Sequence, residues 1–307
     1  MINCPHIPKD FEDTILSTWG QKGRAWLDRL PSLIDTYTER WGLTIRSPLP
    51  SPSYSFVAFV KTPDATDAVL KMAVPNPELH TEVDALRAFA GGPAVPLLEA
   101  DPDHGVLLLQ RISPGTPLTE IEDDEYAIAI AASLIGDLPV APPEGNVFPT
   151  VERWARAFDR LRTRFGGSTG PVPAHLVDKA ERLLTELQAT ERERALLHGD
   201  LHHRNILLSE EDGWLAIDPK GVIGDPAYEA ARLQHNPIPG LLKTPSPRAV
   251  AQRRVEILAA VLEEDPARLL GWAFFDAVLA ACWSVEEDGR QLDHHLACVR
   301  LLDELVG

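Results

Sequence analysis

The sequence of 307 residues contains little cysteine and no long apolar run. Its three cysteines, Cys4, Cys282 and Cys298, include no Cys-x-x-Cys pair, which argues against a disulfide framework and a thiolate metal site. No apolar run approaches the roughly 18 residues that cross a bilayer. The acidic N-terminus lacks the basic-then-apolar order of a secretory signal. These absences predict a cytoplasmic protein.

Basic residues are also scarce, since 29 lysines and arginines face 46 aspartates and glutamates and give a net charge of −17. Such a surface repels phosphate backbones and anionic lipid, so neither a nucleic-acid nor a membrane partner is expected. It would attract a cationic small molecule. Many soluble proteins are acidic only for solubility, however, so the charge supports a cationic substrate without establishing one.

The order of predicted elements divides the chain into two parts. Strand patterns cover SFVAFVKT, DAVLKMAV, AVPLLEAD and GVLLLQRI, with a helix over ELHTEVDALRAFA. Helical patterns then cover 122–135, 150–165 and 174–196, with short strands at 205–208 and 214–217. We therefore expect an α+β fold. A small β-sheet N-lobe with one main helix (1–112) would bind nucleotide, and a larger helical C-lobe (113–307) would carry catalysis and the acceptor. A cleft between two such lobes is where ligands usually bind.

The stretch LLHGDLHHRNILL, followed by GWLAIDPKG, contains the most informative motif. Phosphoryl transfer to a hydroxyl requires a carboxylate that accepts the hydroxyl proton and oxygen ligands that hold Mg²⁺. Asp200 supplies that carboxylate, Asn205 supplies an amide oxygen, and Asp218 ends an apolar strand. HGD-x4-N followed by a strand ending in Asp is typical of kinases. Each residue alone would suit a turn or a cap, but their order and spacing favour catalysis.

Three histidines accompany the motif. His198 is expected to shape the loop by hydrogen bonding to the backbone or to Asp218. A zinc site of His198, His202 and His203 is the alternative, but successive side chains there would diverge.

The nucleotide side of the site is predicted from the first part of the chain. Lys71 lies within a predicted strand and suits the α- and β-phosphates, with Glu82 or its rival Glu78 holding the ammonium. The alternative is an edge lysine that only prevents aggregation.

Two further contacts with the nucleotide are expected from loops. PLPSPSYSF occupies the position of a phosphate-covering loop; it contains no glycine, and Ser53 is its candidate donor. Backbone groups of Gln110 and Ile112 follow a predicted strand and are the natural contacts to the adenine edge.

With these motifs the chain resembles the aminoglycoside phosphotransferase family. HGDLHHRN and AIDPKG carry that resemblance, and GRAWL, LLLQRISPGTPL and WLAIDPKGVIGDPAYE resemble the streptomycin 6-phosphotransferase and hydroxyurea phosphotransferase branch. The resemblance implies a protein-kinase-like two-lobed fold, ATP with GTP left open, Mg²⁺ and a bacterial cytosolic enzyme. It also implies that Asp200 is the base and that Asn205 and Asp218 are metal ligands. The loop without glycine departs from kinase-wide patterns.

The acceptor site is predicted from acidic residues that follow the motif. Asp225 is expected to cap a helix, while Glu229 suits either structure or the acceptor. Carboxylates that could bind guanidinium or ammonium groups also include Asp276, Glu286, Glu287 and Asp288. The last three equally suit a solvated helix end. A streptomycin-like aminoglycoside is the first hypothesis. A kinase of another small metabolite (hydroxyurea, a sugar or an amino alcohol) and a catalytically silent nucleotide-binding protein are the alternatives.

Overall fold

A computed structural model describes residues 7–48, 54–145, 148–238, 240–287 and 289–306. The chain divides into two compact units. The first comprises the described residues of Met1–Ala90 together with Val95–Ile112, and the second comprises those of Gly91–Ala94 and Ser113–Gly307.

The first unit is built on an antiparallel sheet. Its elements are α1 (Lys9–Arg40), β1 (Thr44–Pro48), β2 (Ser55–Lys61), β3 (Asp67–Ala73), α2 (Pro77–Ala88), β4 (Leu97–Asp101) and β5 (Val106–Gln110). The described strands are ordered β1-β2-β3-β5-β4. In β2, buried residues alternate with half-buried ones, as in a strand with one face on the core. Asn76 caps α2 by accepting a hydrogen bond from the Glu78 amide, with Pro77 at the first helical position.

Helix α1 is the longer helix of this unit, with 32 residues against 12 in α2. Its backbone leaves the helical region at Gly20 (φ 53°, ψ −127°) and continues through Pro31. Trp26, Leu30 and Ile34 lie on its buried side, in one core cluster with sheet residues. The unit therefore contains a second long helix beside the one main helix predicted from the sequence.

The second unit is mostly helical. Its strands are β6 (Pro114–Pro117), β7 (Ala195–Leu197), β8 (Ile206–Ser209), β9 (Gly213–Ala216) and β10 (Val222–Gly224). Its α-helices are α3 (Asp124–Asp137), α4 (Val151–Ala155), α5 (Ala157–Arg164), α6 (Ala174–Ala189), α7 (Pro247–Leu262), α8 (Pro266–Glu286) and α9 (Leu292–Val306). A long 3-10 helix covers Pro226–His235, and shorter ones cover Leu118–Glu120, His203–Asn205 and Leu241–Lys243.

Two small sheets of this unit position its loops. Strands β6, β8 and β9 form one sheet, and β10 pairs antiparallel with β7 in the other. The loop after β7 begins at His198 and ends where β8 begins at Ile206, while the loop after β9 runs into β10. Both predicted motif segments are therefore anchored by a strand at each end.

Helix α8 forms the centre of the second unit. It is long and apolar enough to cross a membrane, but 83% of the apolar window is buried inside the structure. That burial is the property of a core helix. The thiols of Cys282 and Cys298 are free and buried, whereas Cys4 lies outside the described residues.

Candidate active site

The catalytic loop holds Asp200 and Asn205 together. Asn205 Nδ2 donates a hydrogen bond to the carbonyl oxygen of Asp200 at 3.0 Å. Because the nitrogen of this amide is engaged with the Asp200 carbonyl, its Oδ1 oxygen is oriented and can ligate a cation or accept a hydrogen bond. The Asp200 side chain keeps 26% of its surface exposed, so its carboxylate can meet a ligand from solvent.

The segment carrying Asp218 is tied directly to this loop. The amide of Ile217 donates to the carbonyl oxygen of Asn205 at 2.9 Å. Asp218 itself has a φ of 59°. Aspartate adopts this left-handed region at some energetic cost, and such positions cluster at functional sites. The two predicted motifs therefore meet in space.

His198 lies between the two segments. Its Nε2 donates to the carbonyl oxygen of Ile217 at 2.8 Å, and its Nδ1 accepts from the Asp200 amide at 3.2 Å. Burial lowers the pKa of His198 to about 4, although the charges of Asp200 and Asp218 oppose that shift. The ring is therefore neutral near pH 7 and shapes the loop, and the predicted backbone contact is confirmed.

Glu229 holds the catalytic loop from the 3-10 helix. Its carboxylate accepts the backbone N–H of His198 at 2.5 Å and that of Gly199 at 3.0 Å. Burial raises the pKa of Glu229 to about 7, against the lowering effect of these two N–H groups. Both oxygens are engaged and the residue is 2% exposed, so Glu229 supports the loop, which is the structural one of the two roles that the sequence left open.

Gly199 is required by the same packing. Its φ is 77°, in the region that favours glycine. A Cβ atom built on it would lie 2.6 Å from the Trp154 ring and 2.8 Å from Val222. The close approach of these side chains fixes the backbone just before Asp200.

Asp276, a predicted acceptor-site carboxylate, lies in the interior of the second unit. It is 1% exposed and accepts hydrogen bonds from the Tyr228 hydroxyl at 2.6 Å and from His235 Nε2 at 2.7 Å. Arg232 Nε lies 3.4 Å from Asp276 and 3.4 Å from Asp200. Burial would raise the pKa of Asp276, but Arg232 and His235 outweigh it and lower the pKa. The carboxylate of Asp276 therefore has three partners within the protein.

Sequence reasoning missed Arg232 and His235. The available signal was their spacing, because Glu229, Arg232 and His235 are three residues apart within the 3-10 helix. Residues at i and i+3 of a 3-10 helix lie on one side. The same helix begins at Asp225, which caps it by accepting from the Ala227 amide at 2.9 Å, so the predicted capping role is confirmed.

The remaining acidic candidates lie at the end of α8. Glu286 forms a two-pronged pair with Arg160, at 2.7 and 3.0 Å. Glu287 is exposed at the end of the helix, and Asp288 lies outside the described residues.

The nucleotide-side candidates belong to the first unit. Lys71 Nζ lies 2.6 Å from Glu82 Oε1, and their side chains are 11% and 10% exposed. This is the predicted pair. The Gln110 amide donates to the carbonyl oxygen of Pro96 at 2.9 Å, so that donor is not available to adenine. Ile112 is buried at the end of the unit, and Ser53 lies outside the described residues.

The donor set fits a magnesium ion better than zinc. Among the residues that the structure describes, no group of three or more His, Cys, Asp and Glu side chains converges as a metal site. Magnesium often takes only one or two protein ligands, with waters and substrate phosphates completing its shell. An oriented amide oxygen from Asn205 and the carboxylate of Asp218 are ligands of that kind.

The chain is similar to a family model and to several known proteins. A family model described as aminoglycoside/hydroxyurea antibiotic resistance kinase matches residues 40–289. The chain is 29% identical to a streptomycin 6-kinase of Streptomyces glaucescens, over 98% of this chain and 97% of that one. It is 32% identical to a hydroxyurea phosphotransferase of Kitasatospora aureofaciens, over 92% and 81%.

A solved structure shows the fold. It is a thermostable mutant of an aminoglycoside phosphotransferase in ternary complex with ADP and hygromycin B, with a TM-score of 0.64 and 16% identity. The match covers 89% of this chain and 98% of that one. The predicted α+β, protein-kinase-like fold is thereby confirmed.

Proposed function

Because the chain belongs to the aminoglycoside/hydroxyurea antibiotic resistance kinase family, a family of small-molecule kinases, we propose that it phosphorylates a hydroxyl of a streptomycin-like aminoglycoside. The phosphate donor is a magnesium-bound nucleoside triphosphate. The observation that carries the proposal is the hydrogen-bonded contact between the Asp200–Asn205 loop and the segment ending at Asp218. The first unit binds nucleotide, the second performs catalysis and binds the acceptor, and the enzyme works in the cytoplasm.

Asp200 is the base in this proposal. Its partly exposed carboxylate accepts a hydrogen bond from the attacking hydroxyl. It takes the proton as the bond from that oxygen to the γ-phosphorus forms and the bond from the γ-phosphorus to the bridging oxygen breaks, which releases the nucleoside diphosphate. Phosphoryl transfer depends mostly on positioning and charge, and a positioned base contributes about 10²- to 10⁴-fold. His198 is neutral and both of its nitrogens are engaged with the backbone, so it does not compete for that proton.

Asn205 Oδ1 and Asp218 are the proposed magnesium ligands. Bound Mg²⁺ supplies charge neutralisation at the phosphate oxygens. Asn205 also spans the loop through its Nδ2 contact with Asp200. One side chain therefore links the position of the base to the position of the metal.

Lys71 is the proposed contact to the α- and β-phosphates. Glu82 holds its ammonium group in a mostly buried pair, so the lysine reaches the phosphates from a fixed position. The ADP in the structurally similar aminoglycoside phosphotransferase supports ATP as the donor. The assay described below also tests GTP. The Gln110 carbonyl and the Ile112 backbone would form hydrogen bonds with the adenine edge. Ser53 would donate a hydrogen bond to a phosphate.

A streptomycin-like acceptor is favoured by the relatives and by charge. The matched streptomycin kinase covers nearly the whole chain, and a net charge of −17 attracts a polycation. Glu229 and Asp276 are engaged inside the protein. Glu287, Asp288 and the partly exposed Glu286, which would have to exchange its pair with Arg160, are the proposed acceptor-binding carboxylates. Hydroxyurea is the second candidate, because the hydroxyurea phosphotransferase is the more identical of the two relatives.

The test is an ADP-release assay with ATP and then GTP, across streptomycin, hydroxyurea and neutral sugars. We expect turnover on streptomycin. Asp200→Asn should lower kcat by at least about 100-fold while nucleotide affinity and the unfolding midpoint stay unchanged.

Asp212→Asn is the matched control, since Asp212 is an exposed turn residue that contacts Ser209. It should retain full activity. Turnover on hydroxyurea alone would select the second acceptor. Full activity in Asp200→Asn would refute the assignment of the base.

A further inference from the structure

We propose that Arg232 is a positioning residue, which fixes the carboxylate of Asp200 by forming an ion pair with it and with the buried Asp276. The inference rests on the proposed function, in which Asp200 is the base. Arg232 Nε stands 3.4 Å from Asp200 Oδ1 and 3.4 Å from Asp276 Oδ2. One guanidinium thus joins the reacting loop to the interior of the second unit.

The interior end of this arrangement is rigid. Asp276 lies on the core helix α8 and is held by Tyr228 and His235 as well as by Arg232. The guanidinium also lies over the Trp283 ring, with its central carbon 5.5 Å from the ring centroid. An arginine held by a buried carboxylate and an aromatic face keeps one orientation, which a lysine would not reproduce fully.

The charge of Arg232 is secure in this environment. Burial would lower its pKa, but the carboxylates of Asp276 and Asp200 outweigh that effect and raise it. The side chain is 15% exposed, so its attraction to Asp200 is screened less than that of a surface pair.

The contact has a direct consequence for catalysis. Asp200 Oδ1 faces the guanidinium, so Oδ2 is the oxygen that meets the acceptor hydroxyl. Without Arg232, the Asp200 side chain could rotate while its backbone stayed in place, because Asn205 and Glu229 hold only the loop backbone. Misplacement of a reacting group by about 1 Å can cost on the order of 100-fold in rate.

The experiment must separate positioning from folding. Arg232→Met alone leaves Asp276 as an uncompensated buried charge, which would destabilise the protein. The informative variant is therefore Arg232→Met combined with Asp276→Asn, which removes both charges and keeps polar partners for Tyr228 and His235. Asp276→Asn alone shows the effect of the second substitution by itself, and Arg232→Lys keeps the positive charge without the guanidinium.

Arg162→Met is the matched control. Arg162 is also shared by two carboxylates of the second unit, Asp178 at 3.1 Å and Glu181 at 2.6 Å, but neither belongs to the proposed site. It should leave kcat unchanged even if it lowers the unfolding midpoint.

We expect the double variant to remain folded, with kcat lower by about 100-fold and with KM for nucleotide and acceptor nearly unchanged. Arg232→Lys should recover about tenfold of that loss. If the wild type is active and the folded double variant has the same kcat, the positioning role of Arg232 is wrong while the proposed function stands. A wild-type enzyme without turnover on any acceptor overturns the proposed function and this inference together.

Discussion

Replacing Glu229 with glutamine removes one of the two oxygens that hold the catalytic loop. In the wild type, one oxygen accepts the His198 amide and the other accepts the Gly199 amide. Glutamine has nearly the same size but offers one acceptor and one NH₂ donor. One backbone N–H of the loop must then face another donor in a site that is 2% exposed.

The expected cost follows from that unmade hydrogen bond. Leaving one buried donor unsatisfied costs about 1–3 kcal/mol, so Glu229→Gln should lower the free energy of unfolding by about 2 kcal/mol. For a protein unit of this size, that corresponds to a fall of roughly 4–8 °C in Tm. Because the two amides precede Asp200 directly, kcat should also fall, on the order of 10- to 100-fold.

Urea denaturation and the ADP-release assay at one pH measure the two effects. Glu304→Gln serves as control, since Glu304 forms a long 3.6 Å ion pair with Arg248 and both side chains are about 60% exposed. Its unfolding free energy should stay within about 0.5 kcal/mol of wild type. If Glu229→Gln matched the control in both stability and kcat, the account of how the loop is held would be wrong.

Two further perturbations test other parts of the structure. Lys71→Met should weaken nucleotide binding, measured by calorimetry, by about 10- to 100-fold. It should also destabilise the first unit by about 3 kcal/mol in denaturation experiments, because the Glu82 carboxylate loses the lysine ammonium. Adding Glu82→Gln should restore the stability but not the nucleotide affinity. Burial lowers the pKa of His295 to about 3, so the folded protein binds fewer protons there than the unfolded chain and loses stability as pH falls below about 6.5. Between pH 7 and pH 5, the free energy of unfolding of the wild type should fall by about 2 kcal/mol more than that of His295→Leu. If the two proteins instead lost stability in parallel, the pKa of the ring would be the same in the folded and unfolded states.

The sequence predicted those elements whose pattern is local. Strands β2 to β5 and helix α2 appear where alternation, apolar runs and helical spacing indicated them. The helix predicted over 150–165 is divided into α4 and α5. Strand β7 lies partly inside the segment 174–196, which was predicted as helix. A strand of three residues has little local signal, because it exists through its pairing with β10.

The residues of the site also divide into those that a local pattern predicts and those that depend on the tertiary structure. Asp200, Asn205 and Asp218 could be identified because their chemistry and spacing form one short motif with a strand at either end. Glu229 and Asp276 were candidates for the acceptor site, and the sequence did not indicate that both are buried and bonded to protein groups. A carboxylate looks the same in sequence whether it meets a ligand or a backbone amide, and only its surroundings distinguish the two.

The sequence by itself determined the family, the order of the elements and the three oxygen-bearing side chains of the motif, since all of these depend on residues close together along the chain. The tertiary structure decided which charges are paired. Arg232 meets Asp276 across 44 positions of sequence and meets Asp200 across 32. The first contact forms when α8 packs against the 3-10 helix, and the second forms when the loop after β7 packs against that same helix. The strength of each pair depends on the burial that the packing creates.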